Sequence, residues 1–410
     1  MATLVPFRAL RPQPALAASI ASVPYDVVNT DEARLLAENN PRSFLHVSRA
    51  EIDLPPSIDP YADAVYARAF ENYQALTTEA FELEDDPSLY FYRLRMGDHE
   101  QVGIAGCFSL VDYDADIIRK HERTRRDKED DRTRHILAVG AQTGPVFLTY
   151  RASADVNDLA RRATASSPLF DFTADDGVAH TLWRVPADVR DALVAAFSRI
   201  PTLYIADGHH RAASAARART EIAAGRASAH GPDEGADYRT VLAVAFPHDQ
   251  VQILPYNRVV RDLAGLTTEA FLAAVAERFS IEPGPAAPRQ RGTIAMFIGG
   301  AWHTLTPRRH PDAPDPIASL DVSLLQDDLL GPILNILDVR TDKRIDFVGG
   351  SRGTVELERL VRAGGFAVAF SLYPVSMADL MAVSDANAIM PPKSTWFEPK
   401  LRDGLLVHVI

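Results

Sequence analysis

Apolar residues recur along this chain with two periods, and the alternation between them sorts most of the sequence into strands and helices. Period two, or a short continuous apolar run, marks strands at Thr3–Leu10, Ser43–Val47, Leu89–Met96, Val102–Tyr113, Leu169–Phe172 and Ala179–Val185. The same signal marks Leu203–Ala206, Val241–Phe246, Gln252–Leu254, Thr293–Ile298, Trp302–Leu305, Phe366–Leu372 and Leu405–Val409, and Gln142–Tyr150 reads as a turn followed by a strand. Helical spacing marks Glu32–Glu38, Tyr61–Phe81, Asp155–Thr164, Pro186–Ile200, Leu266–Phe279, Val322–Leu330, Val355–Ala363 and Met377–Val383. In Tyr61–Phe81 the stripe is Val65, Ala69, Tyr73 and Leu76. Gly97-Asp98 and Gly299-Gly300 close hairpins, and Gln252–Leu254 is expected to pair with Val241–Phe246 across His248-Asp249. This interleaving predicts an α/β or α+β fold, with mixed sheets and flanking helices. Arg217–Gly235 ends in polar coil, and the Pro/Asp-rich His310–Pro316 is the best internal boundary. The parts are then 1–150, 151–310 and 311–410, or one compact unit.

The chain is organised around Pro201–Arg219, PTLYIADGHHRAASAARAR. A buried strand ends at Asp207-Gly208, and an Ala-rich helix runs from His209 towards Gly225. Gly208 lets the backbone approach a ligand closely. The helix start offers unpaired N–H groups and partial positive charge to an anion, and Arg211 adds a planar fork for phosphate oxygens. His209 and His210 can donate or relay protons, and Asp207 can hold Mg²⁺ or accept a hydroxyl proton. Such turns are common in α/β proteins, and Asp207 can also be read as a simple helix cap. Capping does not explain two histidines and an arginine in one helical turn.

A second charged stretch, Lys120–His135 (KHERTRRDKEDDRTRH), follows a strand. Lys120, His121, Glu122 and Arg123 precede the regular helix, where loops of α/β proteins carry functional groups. They supply cations for phosphates and a second carboxylate, Glu122, for the attacking hydroxyl. The rest reads as a solvated helix with pairs such as Arg123 with Asp127, while Asp131 and His135 share one helix face. Asp26, in the loop after Pro24, is equally a site carboxylate or a turn residue. His46 and Arg49, at the end of the Ser43–Val47 strand, can face the same cleft. Asn257 and Arg258 are pocket candidates. The Pro-stiffened MPPKSTWFEPK places Lys393, Ser394, Thr395 and Lys400 where they can hold a carboxylate or phosphate of the substrate.

The DGHHR loop resembles the nucleotide-binding loop of ParB/sulfiredoxin-like proteins, most closely that of the free serine kinases. Over nearly the whole length the sequence resembles domain of unknown function family 1015, through VPYDVV (Val23–Val28), NPRSFLHVSRAEIDLP (Asn40–Pro55), KHERTRRDKEDDR, AQTGPVFLTY (Ala141–Tyr150), DGHHRAA and MPPKSTWFEPK. The resemblance implies a ParB/sulfiredoxin-like nucleotide-binding unit and a phosphotransferase acting on L-serine or O-phosphoserine. ADP or ATP with Mg²⁺ would be the cofactors, with the direction open. Asp207, His209, His210 and Glu122 would then be catalytic, and Gly208, Arg211, Lys120, His121 and Arg123 would hold the nucleotide. Asp26, Asn257, Arg258, Lys393, Ser394, Thr395 and Lys400 would face the substrate.

Composition narrows the alternatives. A net charge of −12 over 410 residues argues against general nucleic-acid affinity, and no run of 18 apolar residues suggests a membrane helix. Pro6, Pro12 and Pro14 interrupt the only leader-like stretch, and the single Cys107, in an apolar run, fits a core residue in a reducing cytoplasm. A metal-dependent hydrolase using His209, His210, Asp207 and His121 is a second reading. Adjacent helical histidines lie about 100° apart, which makes them awkward joint chelators. A non-catalytic nucleotide sensor is the third. Composition does not fix the oligomeric state.

Overall fold

The computed structural model describes residues 1–228, 237–309 and 315–410. The end of the Arg217–Gly235 coil and most of the His310–Pro316 boundary lie outside the described residues. The chain divides into two units, Met1–Val251 with Pro399–Ile410, and Gln252–Glu398. The divisions thus fall at Val251 and Glu398, whereas local composition points to 150 and 310. Proline and charge mark a connector, but only long-range contacts mark a segment that returns.

The first unit is built on a nine-stranded mixed sheet. Its order is Ile118–Arg119, Leu203–Asp207, Val146–Tyr150, Thr240–Pro247, His99–Ser109, Tyr90–Met96, Ala179–Arg184 and Phe170–Thr173. Leu4–Val5 joins His99–Ser109 at Cys107 and Phe108. Leu203–Asp207 runs parallel to Ile118–Arg119 and antiparallel to Val146–Tyr150. One face carries Phe91, Ile104, Phe108, Leu148, Tyr150, Leu203 and Ile205 against Val189, Leu193 and Phe197 of the helix Ala187–Phe197. A second core gathers Val65, Ala69, Tyr73 and Leu76 of the helix Asp63–Ala80 with Phe44, Val47, Phe81 and Val407. The predicted stripe is therefore the buried one.

Residues 399–410 return to this unit. Ser22 and Asp403 exchange backbone hydrogen bonds, Leu10 and Val407 do the same, and His408–Val409 pairs with Ala141–Gln142. Arg402, almost wholly buried, donates through Nε to His180 Nε2 at 3.2 Å and reaches Asp176.

The second unit is a six-stranded antiparallel sheet ordered Phe279–Pro283, Ala301–Pro307, Ile294–Ile298, Val368–Leu372, Tyr256–Val260 and Ile345–Gly349. Helices Thr268–Arg278, Gly353–Arg362 and Met377–Asp385 flank it, and Val259, Phe297, Val348, Leu357 and Phe366 form a core. Both units thus combine sheets and flanking helices, as the periodicity predicts.

Two local expectations are corrected. Ser43–Val47 does not form a strand: Leu45–Ser48 is one helical turn, which sends Phe44 and Val47 to one core and Leu45 to another. Gln252–Leu254 pairs with Trp396–Glu398 and not with Val241–Phe246, because it opens the second unit. No described helix is long and apolar enough to cross a membrane.

Candidate active site

The strand Leu203–Asp207 would, by strict alternation, turn Asp207 to the same face as the core residues Leu203 and Ile205. It does not, because the register slips between Ile205 and Asp207, where two residues oppose one on Val146–Tyr150. Such a bulge re-aims the following side chain. Gly208 comes next at φ 91°, and the helix His209–Ala223 begins with neither a side-chain cap nor an acidic residue in its first turn. Asp207 therefore does not cap the helix. A Cβ at Gly208 would lie 2.9 Å from Arg211 Nε and push the guanidinium aside, and the left-handed backbone itself favours glycine.

Asp207 instead meets two cations. Its Oδ2 lies 3.3 Å from Arg211 Nη2 and 3.5 Å from Lys400 Nζ. Burial would push this carboxyl up, but Lys400, then Arg211, outweigh it and hold Asp207 well below the usual carboxylate range. Arg211 also donates to the Pro145 carbonyl and lies 3.8 Å from Asp26 Oδ2. Its own burial opposes the charge, yet Asp26 and Asp207 more than compensate and keep the guanidinium protonated.

Two histidines are held as neutral bases. His209 Nε2 accepts the His121 backbone N–H at 3.4 Å, which leaves the proton on Nδ1, 4.0 Å from Glu122 Oε2. His210 Nε2 accepts the Arg125 N–H at 3.0 Å. Burial lowers both, and the neighbouring His121 lowers His209 further. His121 stands edge-on to His209, ring centroids 4.5 Å apart, and burial lowers it to about 4. With both accepting nitrogens spent on backbone N–H groups, His209 and His210 offer no free lone pair to a metal. Among the described residues no group of three His, Cys, Asp or Glu side chains is arranged to hold a metal ion.

The first unit thus brings together Asp26, His121, Glu122, Asp207, Gly208, His209, His210, Arg211 and Lys400. Lys120 points its ammonium at the Tyr113 carbonyl and Asp116, Arg123 is exposed, and Asp127 pairs with Arg125 and not with Arg123. His46 pairs with Asp53, and Arg49 with Glu51. Asn257, Arg258, Lys393, Ser394 and Thr395 belong to the second unit. There Asn257 accepts the Leu372 N–H, buried Arg258 donates to the Lys393 carbonyl, and the Lys393 ammonium sits 5.5 Å over the Tyr256 ring.

Sequence reasoning missed the residues behind Arg211. Arg132 is stacked 4.2 Å over the Tyr25 ring and held by Asp131 through two hydrogen bonds; Asp131 also accepts from Tyr66. His135 donates to the Val47 carbonyl, and Asp403 is buried nearby. The shared face of Asp131 and His135 was the available signal; nothing local marks Asp403.

Residues 4–323 match the family described as "Protein of unknown function (DUF1015)". No curated protein matches the sequence. Among solved structures, the fold is similar to a free serine kinase in complex with AMP, at 12% identity over 74% of this chain and 91% of that one, with a TM-score of 0.37. It is similar also to SbnI with C-terminal truncation from Staphylococcus aureus, at 13% identity over 74% and 87%, TM-score 0.41. A conserved hypothetical protein from Pyrococcus furiosus shows 12% identity over 74% and 95%, TM-score 0.36. Identity at this level does not carry a ligand or a substrate from those proteins to this one.

Proposed function

The chain belongs to the DUF1015 family, and from that premise we propose that it is a phosphotransferase moving a phosphoryl group between a nucleotide and the hydroxyl of a small metabolite. The observation that carries this reading is the uncapped helix start at Gly208, with Arg211 and Lys400 converging on Asp207. The first-turn N–H groups and the two cations suit the phosphates of ADP or ATP, and stabilise charge that shifts between oxygens during transfer.

The environments divide the roles. Asp207, held ionised by two cations, is a poor proton acceptor and serves to orient Arg211 and Lys400. Proton transfer falls to Glu122, which the Nδ1–H of the neutral His209 faces at 4.0 Å and orients. His210 stands beside the phosphates, and Asp26 steadies Arg211. Mg²⁺ belongs with the incoming nucleotide, held mainly by its phosphates. The DGHHR resemblance names L-serine or O-phosphoserine as the first substrates to try, in either direction.

Phosphorus NMR with Mg²⁺, ADP or ATP, and L-serine, threonine, homoserine or O-phosphoserine tests the reading. Phosphoryl transfer is expected, with Asp207→Ala slowing it by about 10²–10³-fold, as loss of an electrostatic stabiliser does. Nucleotide binding without turnover across the panel would instead favour a sensor.

A further inference from the structure

Behind Arg211 the first unit holds a partly open cavity of about 40 Å³, whose walls include Tyr25, Ser48, Arg132, Gly144, Arg211 and Asp403. Two ionisable groups of these walls keep a buried atom without a hydrogen-bond partner, Arg211 at Nε and Asp403 at Oδ1. The two residues are 7% and 2% exposed. Arg211 donates through Nη1 to the Pro145 carbonyl and through Nη2 to Asp207. The Asp403 carboxyl accepts the Tyr25 backbone N–H. Its Oδ1 rests so closely on Gly144 that a Cβ there would lie 2.5 Å away. Gly144 and Pro145 are consecutive, so one stretch of chain seats both side chains.

The other charged groups here are already committed. All three guanidinium nitrogens of Arg132 are engaged, Nε and Nη2 by Asp131 and Nη1 by the Ser48 carbonyl. His135 donates through Nε2 to the Val47 carbonyl, and burial keeps it neutral. Asp26 lies 3.8 Å from Arg211, and Lys400 lies 3.5 Å from Asp207. Among the described residues Asp403 has no ion-pair partner, and the unbonded Nε–H of Arg211 is the charged donor that the walls leave over. Ile136, Val146 and Val241 complete the lining, and in apolar surroundings opposite charges attract strongly. An ionised Asp403 therefore competes with Asp207 for Arg211, and a neutral one does not.

We propose that Asp403 is a positioning residue for Arg211: protonated, it leaves the guanidinium at Asp207 and the Gly208 turn; ionised, it draws the Nε edge into the cavity. Arg211 is in this way shared among Asp26, Asp207 and Asp403, and protonation of Asp403 withdraws one claim on it. The groups facing Asp403 are Tyr25 and Asp26, Arg132 and His135 of the helix Arg126–Val139, and Arg211 of the helix His209–Ala223. The Gln142–Gly144 stretch brings no titratable group. Burial, with Asp26 adding to it against Arg211, Arg132 and the Tyr25 N–H, pushes the Asp403 carboxyl up to about 7. A phosphate at Arg211 and a neutral Asp403 favour each other, so nucleotide binding takes up a proton and weakens as pH rises through that value. The use of Arg211 for phosphate rests on the phosphotransfer reading, whereas its coupling to Asp403 does not.

Carbon-detected NMR of the full chain, read at Arg211 Nε and Cζ, tests the coupling without any ligand, and Arg211→Lys assigns the signal by removing it. In the wild type the signal should titrate with a midpoint near the Asp403 value of about 7. Asp403→Asn should abolish that titration, and Asp403→Glu, which keeps the acid, should retain one. A wild-type signal that does not titrate overturns the proposal, as does a titration that persists unchanged in Asp403→Asn. Calorimetry with ADP reads the consequence. Affinity should fall about fivefold or more from pH 6 to pH 8 relative to Asp403→Asn, a comparison that cancels the ionisation of the nucleotide itself. A substitution that changes ADP affinity equally at both pH values would make Asp403 merely structural and overturn its positioning role. Titration of Arg211 with no ADP binding at either pH keeps the coupling and sinks the nucleotide reading.

Discussion

At Asp403 the carboxyl sits at about 7, against an ordinary value near 3.8, because the folded protein favours its protonated form. The stability this gives is complete below the unfolded value and is lost progressively as pH rises from there through 7, because the unfolded carboxyl ionises first. A tenfold change in a proton-binding equilibrium is worth about 1.4 kcal/mol, so the loss is on the order of a few kcal/mol. Asp403→Asn should therefore raise the melting temperature more at pH 8 than at pH 5, which thermal unfolding at the two pH values checks. An equal effect at both would show that Asp403 does not titrate in this range. None of this is legible locally. DGHHR can be read because its parts are consecutive, so one strand end and one helical turn supply the whole arrangement. Asp403 gains its meaning only by meeting Tyr25, Gly144 and Arg211, which lie hundreds of residues upstream.

Among elements, those with long periodic patterns match the sequence reading, and the exceptions have identifiable physical reasons. The helix Asp63–Ala80 follows its apolar stripe, whereas Leu45–Ser48 is too short for periodicity to separate one helical turn from a strand. The bulge that turns Asp207 towards Arg211 and Lys400 leaves no trace in composition, since any residue pair can oppose one. The segment 399–410 reads as little more than a terminal strand, yet it supplies Lys400 and Asp403 and buries Leu401, Leu405, Leu406, Val407 and Ile410. Burying one such side chain is worth about 1.5–3 kcal/mol, so five rival the 5–15 kcal/mol that hold a typical domain together. A chain ending at Glu398 should therefore lose the cooperative unfolding transition of the first unit, seen by circular dichroism. Survival of that transition would show the segment to be peripheral.

For the whole molecule, the informative pairing is Gln252 opposite Glu398, the first and last residues of the second unit. Partners across an antiparallel pair have Cα atoms about 4.5–5.5 Å apart, so the chain leaves the first unit and re-enters it at nearly one point. The second unit is in this sense an insertion. Joining Val251 to Pro399 through a few glycines and serines should give a chain that still folds and buries Asp403. Nitrogen–proton NMR of that chain checks this, and a collapsed, poorly dispersed spectrum would show that the first unit depends on the second. Composition points to 150 and 310 because it registers connectors and is blind to a chain that comes back.

The returning segment also sets an order of events at the ribosome. Residues 1–251 emerge first and can assemble most of the sheet, the Gly208 turn and Arg211. Lys400 and Asp403 do not yet exist, and residues 252–398 must be made before they do. At about 5–20 residues per second that interval lasts roughly 7–30 s. Throughout it the nascent first unit carries Arg211 without Lys400 beside Asp207 and without the floor of the cavity. A message cut short within the second unit would yield a polypeptide that presents the DGHHR turn but cannot finish the site around it.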